Sequence, residues 1–330
     1  MGCSESIQSG AYINVHLRKA TVRDWDIEAG RIHRAVKSFR VNGEDIITLL
    51  AHYKNRGRQR IRASYKKVYE EDLLSVLEDE LSIGYKEAAQ ALLYRPEVYD
   101  SKSLHEAIKD NDNDTLTEII CSRKAYEIEK IKEEYEDEFC HSLEHDLLGI
   151  DDKDLCELLI KFCTVNIDGE RSKADRVVAQ ERAIRLQSYG DLVELLCEPL
   201  GRNQLKATFE EFETLYFQTM DRYIDNEYKD KSVDFQKALK AYVCCTISPP
   251  TFFSMAMTKA LDKLSRHKDL LRIVVTRSET DLYYIMKEFL SSNSIQLTKA
   301  ISKKLMRWYV QPLKIILEIR GQYKESAIRM

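Results

Sequence analysis

An apolar signature recurs four times along the chain and constrains its fold more than any other feature of the sequence. Its copies are Ile46-Ile47-x-Leu49-Leu50, Leu116-x-x-Ile119-Ile120, Leu192-Val193-x-Leu195-Leu196 and Leu270-Leu271-x-Ile273-Val274. The last residues of successive copies are 70, 76 and 78 positions apart. An aromatic marker follows each copy at intervals of 70, 77 and 77, namely Tyr65, Tyr135, Phe212 and Phe289. Two markers that keep the same step predict four copies of one module of about 75 residues.

The composition and the spacing within a module predict an all-α fold. The chain has only 11 glycines and 5 prolines in 330 residues. Because these two residue types form many of the turns in proteins, their scarcity favours helices over sheets. Within residues 82–93, apolar residues and alanines recur three or four positions apart. This spacing places them in one buried stripe along a helix. Each module is therefore expected to contain roughly four or five short helices.

The repeat and its interruptions divide the chain into segments. Polar residues 166–175, which include Gly169, are expected to link two halves. Pro249-Pro250 marks a boundary, because the residue before a proline disfavours helix. The expected segments are a tail (1–25), repeat one (26–100), repeat two (101–165), the linker (166–175), repeat three (176–248), repeat four (249–321) and a second tail (322–330).

Several motifs in these modules resemble those of the annexin family. They are Arg277-Ser278-Glu279-Thr280-Asp281-Leu282 with Ile285-x-x-Glu288-Phe289, Leu116-Thr117-Glu118-Ile119-Ile120-Cys121-Ser122-Arg123, Arg60-Ile61-x-x-x-Tyr65-x-x-x-Tyr69-x-x-Asp72-Leu73, and the junctions Pro96-x-x-Tyr99-Asp100 and Cys244-Cys245-x-x-x-x-Pro250-x-x-Phe253. The resemblance covers roughly residues 26–321 in the family order. It implies an all-α curved disc of four five-helix repeats that binds phospholipid through loops on its convex face.

The resemblance also implies a set of charged residues inside the disc. Asp100 and Arg123 stand at the positions of an inter-helix ion pair, and Glu118 and Arg277 match residues that line a hydrophilic channel between the two halves. We expect these four residues to form an internal ion-pair network that fixes the packing. Ion conduction through the channel is the alternative.

A calcium site of this family needs a loop resembling Lys-Gly-x-Gly-Thr and a carboxylate roughly 40 residues later, because Ca²⁺ takes six to eight oxygen ligands. In module one the loop reads Lys37-Ser38-Phe39-Arg40-Val41, without glycine, and Glu80 is the later acid. Module three retains Glu227 but shortens the loop to Gln187-Ser188-Tyr189-Gly190-Asp191. Module four has Asp262-Lys263-Leu264-Ser265-Arg266, and Lys304 replaces the acid.

Module two carries alternating acids, Asp110, Asp112 and Asp114, and has Ile150 at the later acid position. An EF-hand would need glycine and glutamate at its sixth and twelfth positions, where this chain has Thr115 and Cys121. The loop is expected to be a polar turn in which Asn113 or Asp114 caps the next helix. Weak calcium binding by the three acids is the alternative. We therefore expect at most weak calcium binding, with Glu80, Asp110, Asp112, Asp114 and Glu227 as candidate ligands.

The N-terminus reads Met1-Gly2-Cys3-Ser4-Glu5-Ser6 and fits the pattern for N-myristoylation. Gly2 would accept a myristoyl group after Met1 is removed, and Cys3 is placed for palmitoylation. One myristoyl chain binds membranes marginally, so the second chain would matter. An ordinary flexible terminus is the alternative.

The net charge, the cysteines, a run of basic residues and the tryptophans bear on the partners and the location of the protein. The net charge of -4 argues against a nucleic-acid partner, and no motif predicts an enzyme. The cysteines, none in a CxxC pair, suggest a reducing cytosol. Basic residues at every second position from Lys54 to Arg62 form either a patch for anionic headgroups or an ordinary solvated segment. Trp25 and Trp308 are expected in the core, with interfacial anchoring as the alternative.

The sequence thus predicts a cytoplasmic protein, peripheral at the inner face of the plasma membrane or another cytosolic membrane surface. It would bind anionic phospholipid with calcium dependence weakened or lost, and acyl groups at the N-terminus would anchor it. The alternative is a scaffold of the same fold that binds cytoskeletal or other protein partners without lipid.

Overall fold

A computed structural model describes residues 22–164, 173–262 and 266–322. These residues form twenty α-helices in four consecutive groups of five, which we call units one to four. Unit one contains α1 (Val22–Val36), α2 (Gly43–His52), α3 (Asn55–Tyr69), α4 (Leu73–Glu80) and α5 (Ile83–Leu93). Unit two contains α6 (Pro96–Lys109), α7 (Asn113–Ser122), α8 (Ala125–Phe139), α9 (Leu143–Leu147) and α10 (Lys153–Thr164). Unit three contains α11 (Arg176–Tyr189), α12 (Leu192–Cys197), α13 (Arg202–Tyr216), α14 (Met220–Glu227) and α15 (Val233–Ile247). Unit four contains α16 (Pro249–Leu261), α17 (His267–Arg277), α18 (Leu282–Asn293), α19 (Leu297–Lys304) and α20 (Arg307–Arg320).

The same backbone feature ends the third helix of every unit. Its C-terminal cap is a residue other than glycine in the left-handed region, with φ between 49° and 60° at Glu70, Cys140, Phe217 and Ser294. This conformation is costly for a residue with a Cβ atom, yet it is a common way to stop a helix. The four units therefore end their third helix with the same backbone conformation, although the residue at that position differs in each.

Each repeated sequence marker lies in the apolar core. The four signature copies fall on α2, α7, α12 and α17, and the aromatic markers fall on α3, α8, α13 and α18. All four aromatic rings are 2% exposed or less. The two tyrosines also satisfy their hydroxyl groups, since Tyr65 Oη lies 3.0 Å from His33 Nδ1 and Tyr135 Oη lies 3.0 Å from His105 Nδ1. A buried tyrosine needs such a partner, whereas the phenylalanines do not.

The core has two parts, and each is shared by two of the four units. We call these pairs of units the 1/4 module and the 2/3 module. One apolar cluster joins units one and four, and a second cluster joins units two and three. The boundary expected between residues 100 and 101 falls inside α6, because Pro96 is already the first residue of that helix. We propose that repeat two begins at Pro96 instead. Most of the expected linker, namely residues 166–172, lies outside the described ranges.

Three helix N-termini meet on one side of the 1/4 module. A Cβ atom on Gly43 of α2 would lie 2.8 Å from the Tyr85 ring of α5, and one on Gly84 of α5 would lie 2.1 Å from the Trp308 carbonyl oxygen of α20. The connections that precede these helices, α1–α2, α4–α5 and α19–α20, therefore open onto the same side of the molecule.

The close approach at Gly84 gives a stability test. We expect Gly84→Ala to destabilise the fold by about 1–3 kcal/mol, because the added methyl group meets backbone that cannot rotate away. Gly30→Ala in α1 is the matched control, since its Cβ atom would lie 3.5 Å from Tyr69 Oη. That substitution should stabilise by about 0.5–1 kcal/mol. Urea unfolding measures both, and a Gly84→Ala chain as stable as the parent would contradict the packing of α5 against α20.

Candidate calcium and membrane-binding loops

The unit-one loop is closed by a serine hydroxyl group. Ser38 Oγ lies 2.9 Å from the Ala35 carbonyl oxygen and 2.6 Å from the Arg40 carbonyl oxygen. Carbonyl groups are the ligands that such a loop would offer to Ca²⁺. These two share the single hydroxyl proton of Ser38, and the Ala35 oxygen also accepts from the Asn42 N–H group at 3.2 Å. Phe39 between them is fully exposed. Glu80 ends α4 with an exposed side chain, and no hydrogen bond or ion pair among the described residues joins it to the loop.

In unit two, basic residues of unit four neutralise two of the three acids. Asp112 lies 3.0 Å from Arg266, and Asp114 lies 2.6 Å from both Arg266 and Lys259. Burial alone would raise the pKa of Asp114, but the hydrogen bonds and charges of Lys259 and Arg266 hold it below its ordinary value. Asp110 remains exposed at the end of α6.

The helix cap in unit two differs from the expected one. Asp112, not Asn113 or Asp114, caps α7 by accepting from the Thr115 N–H group at 3.2 Å. The helix thus begins at Asn113, earlier than the sequence suggested. Ile150, at the position of the later acid, is buried.

In unit three a tyrosine joins the end of α14 to the shortened loop. Tyr228 Oη donates to Asp191 Oδ1 at 2.5 Å and accepts from the Leu192 N–H group at 3.0 Å. Burial and the neighbouring Asp191 carboxylate both raise the pKa of Tyr228, so it stays a donor. The end of α14 is thereby tied directly to the α11–α12 connection. Glu227, beside the tyrosine, is exposed.

In unit four a lysine ammonium group stands at the position of the later acid. Lys304 Nζ, at the end of α19, lies 2.5 Å from Asp262 Oδ1, which follows α16. Residues 263–265 of this loop lie outside the described ranges. Within residues 22–164, 173–262 and 266–322, no three His, Cys, Asp or Glu side chains lie close enough together to hold a metal ion. The described acids therefore do not fit a calcium site built from side chains.

Buried charges lie between the two modules. Arg123 forms a bidentate ion pair with Asp100, with N–O distances of 2.6 and 2.9 Å. Glu118 lies 3.9 Å from Arg123 and 2.5 Å from Arg272 of α17, which also lies 3.2 Å from Asp269. Burial lowers the pKa of Arg123 and Arg272, but the adjacent carboxylates outweigh it and raise both. Each arginine therefore stays charged.

Arg277 lies outside this cluster, contrary to the expected network. It pairs with Asp281 at 2.7 Å on its own chain segment and stacks 4.5 Å above the centre of the Phe253 ring. Arg272 takes the role that the sequence assigned to Arg277. One signal could have identified it, because Glu118 and Arg272 occupy the same position in the repeated apolar signature with opposite charges.

The run of basic residues does not form one patch. Arg58 is buried and pairs with Glu279 at 2.9 Å, Arg62 pairs with Asp72, and the Arg60 guanidinium lies 5.7 Å from the centre of the Trp25 ring. Burial lowers the pKa of Arg58 to about 10, although Glu279 opposes the shift. Because these residues lie on α3, side chains two positions apart face different directions. This run therefore offers no continuous surface to anionic headgroups.

The two tryptophans differ in exposure. Trp25 packs against the 1/4 module, whereas Trp308 is half exposed, so its expected place in the core is wrong. Gly2 and Cys3 lie outside the described residues. No helix in the described part of the chain is long and apolar enough to cross a membrane.

The chain is similar to proteins of one family. The annexin family model matches residues 27–92 and 99–161. Annexin D2 from Arabidopsis thaliana is 29% identical over 301 residues, which are 88% of this chain and 94% of that protein. Annexin A13 from Mus musculus is 32% identical over 278 residues, 81% of this chain and 86% of that protein. A mutant of annexin A8 superimposes with a TM-score of 0.79 at 25% identity, covering 91% of this chain and 97% of the other. The expected all-α fold of four five-helix repeats is confirmed.

The buried charges give a second stability test. We expect Arg272→Met to destabilise the fold by about 3–5 kcal/mol in urea, because it leaves Glu118 buried without its closest partner. Lys268→Met is the control, since Lys268 pairs with Glu106 while both side chains are more than half exposed, and such pairs contribute about 0–1 kcal/mol.

A double variant separates charge from packing at this position. Glu118→Leu with Arg272→Met should recover much of the lost stability, since it removes both buried charges. A single Arg272→Met variant no less stable than Lys268→Met would contradict the assignment.

Proposed function

Because this chain belongs to the annexin family, we propose that it binds anionic phospholipid as a peripheral membrane protein whose calcium dependence is weakened or lost. Annexins are known for calcium-dependent phospholipid binding and are in general not enzymes. The observation that carries the proposal is the Lys304–Asp262 ion pair. It places a fixed positive charge where the family places a carboxylate.

The other loops support the same conclusion by different contacts. Tyr228 closes the unit-three connection with a hydrogen bond, and Arg266 with Lys259 neutralises Asp112 and Asp114 in unit two. An added cation would have to displace these protein cations and would gain little charge stabilisation. Unit one retains an exposed carboxylate, Glu80, and is the remaining place for weak calcium binding.

Acyl groups at the N-terminus would supply the lost affinity. Myristate on Gly2 and palmitate on Cys3 together give stable attachment, whereas one myristoyl chain gives an association constant on the order of 10⁴ M⁻¹. Both groups would hold the protein at the cytosolic leaflet of the plasma membrane or at another cytosolic membrane surface. The rival function is a scaffold that binds cytoskeletal or other proteins without lipid.

Co-sedimentation with phosphatidylserine vesicles tests the proposal. The full acylated chain should pellet in the presence of a chelator, and Gly2→Ala should reduce pelleting at least tenfold because the acyl contribution is lost. Cys3→Ser should give an intermediate value. Calcium should add a small increment that Glu80→Gln removes.

The other outcomes discriminate between the rivals. Pelleting of the acylated chain that occurs only with calcium would overturn the weakened calcium dependence. No pelleting under any condition would favour the scaffold.

A further inference from the structure

The third helices of units one and two carry exposed charges of opposite sign. On α3 these are the bases Arg56, Arg60, Lys66 and Lys67, and on α8 they are the acids Glu129, Glu133, Glu136 and Asp137. We call these two sets the basic face and the acidic face. Residues three, four or seven positions apart lie on one side of a helix. Each helix therefore presents one charged face to the solvent.

The repeat places the two faces at matching positions. The buried markers Tyr65 and Tyr135 are 70 positions apart. The two lysines that follow the first marker therefore match the Glu136-Asp137 pair that follows the second. Equivalent surfaces of one chain thus differ in the sign of their charge.

The eight charges of these faces have no ion-pair partner within the described part of the chain. Other charges on the same helices do have one, since Arg62 of α3 lies 2.9 Å from Asp72 and Lys132 of α8 pairs with Glu144. Arg60 instead places its guanidinium 5.7 Å from the centre of the Trp25 ring. The fold thus satisfies charges beside the two faces and leaves the faces open to a partner.

Charges of the other sign do not cancel either face. Lys130 stands among the acids, with its ammonium group 5.9 Å from the centre of the Tyr126 ring. Glu70 and Glu71 follow the basic face at the end of α3. The acidic face keeps a surplus of negative charge, and the basic face keeps a surplus of positive charge.

Three of these charges oppose the dipoles of their own helices. Arg56 lies in the first turn of α3, while Glu136 and Asp137 lie in the last turn of α8. A helix favours acids in its first turn and bases in its last turn. These three side chains therefore do not stabilise their own helices, whereas a partner surface of opposite charge would compensate them.

Both faces lie on one side of the molecule. The first turns of α3 and α8 line one cavity of about 280 Å³, through Asn55 and Arg58 from α3 and Tyr126 and Glu127 from α8. α2 has ten residues and is about 15 Å long. Because α3 begins where α2 ends, this side lies away from the α1–α2 connection.

We propose that two copies of this chain form a dimer in which the basic face of each copy docks on the acidic face of the other. A two-fold axis exchanges the faces, so both contacts form at once and the assembly closes at two copies. Complementary charge steers such an encounter and selects the partner. The inference goes beyond the proposed membrane function, because the connections that open onto the other side take no part in it.

Reciprocal charge reversal tests the dimer. One variant carries Lys66→Glu with Lys67→Glu, and the other carries Glu136→Lys with Asp137→Lys. Each variant alone should lose at least tenfold in association constant, because its two faces no longer attract each other. An equal mixture of the two should recover most of the association, since the unchanged acidic face of the first meets the unchanged basic face of the second, and the two reversed pairs meet each other.

Sedimentation equilibrium measures the association. The full chain carries Gly2→Ala in every sample, so that acyl groups cannot associate, and urea unfolding checks that each variant is folded. Raising the salt from about 50 mM to about 500 mM should weaken the parent dimer at least tenfold, because salt screens exposed charges. Arg222→Glu with Lys229→Glu is the matched control, since it reverses two exposed bases of unit three and should leave association unchanged.

The remaining outcomes count against the dimer. A parent chain that stays monomeric at low salt would overturn it, as would undiminished association of either variant or a mixture no better than its components. Species larger than two copies would overturn the two-fold arrangement. The proposed membrane binding stands or falls separately, because vesicle co-sedimentation measures it.

Discussion

A buried ion pair between Glu118 and Arg272 constrains how the two halves of the molecule meet, and both of its side chains are 6% exposed. Each half completes an apolar core of its own, so the hydrophobic effect alone does not fix their relative orientation. A buried carboxylate is tolerated only with a well-placed partner, which requires α7 and α17 to approach with these side chains facing. The loops at the ends of those helices take their positions from that approach. Arg266, the N-terminal cap residue of α17, lies beside the unit-two acids at the same junction.

Within the chain, the four units keep their interiors and differ at their loops. The aromatic markers remain large and buried, and the third helices end in the same left-handed conformation. Closely packed interiors tolerate little change in volume, whereas exposed connections tolerate changes in length and composition. Four different contacts now occupy the loops: a serine hydroxyl group, an arginine, a tyrosine and a lysine. The repeat specifies the architecture, and the individual loops carry the differences that bear on function.

The sequence could predict the fold but not the partners of its charges. Apolar spacing within a helix predicts which of its faces is buried, and so predicts the all-α fold. The recurrence of the two markers predicts four repeats. The choice between Arg272 and Arg277 depends on which helix of another unit lies opposite. Spacing within one helix does not show this, and only the shared position of Glu118 and Arg272 in the repeated signature points to Arg272. The proposed start of repeat two at Pro96 rests on the helix itself, because proline favours the first turn and α6 begins there. Half of the Trp308 surface is exposed because it lies at a helix start, where burial depends on the neighbouring unit.

The Lys304–Asp262 pair makes the unit-four connection independent of a metal ion that binds and dissociates. A bound metal ion arrives and leaves at rates set by its concentration, so a loop that depends on it reports on that concentration. A lysine is part of the chain and cannot leave it. A connection held by it needs no added ligand to form once the chain folds. Its strength responds instead to the salt around it, because both side chains are about half exposed and ions screen such charges.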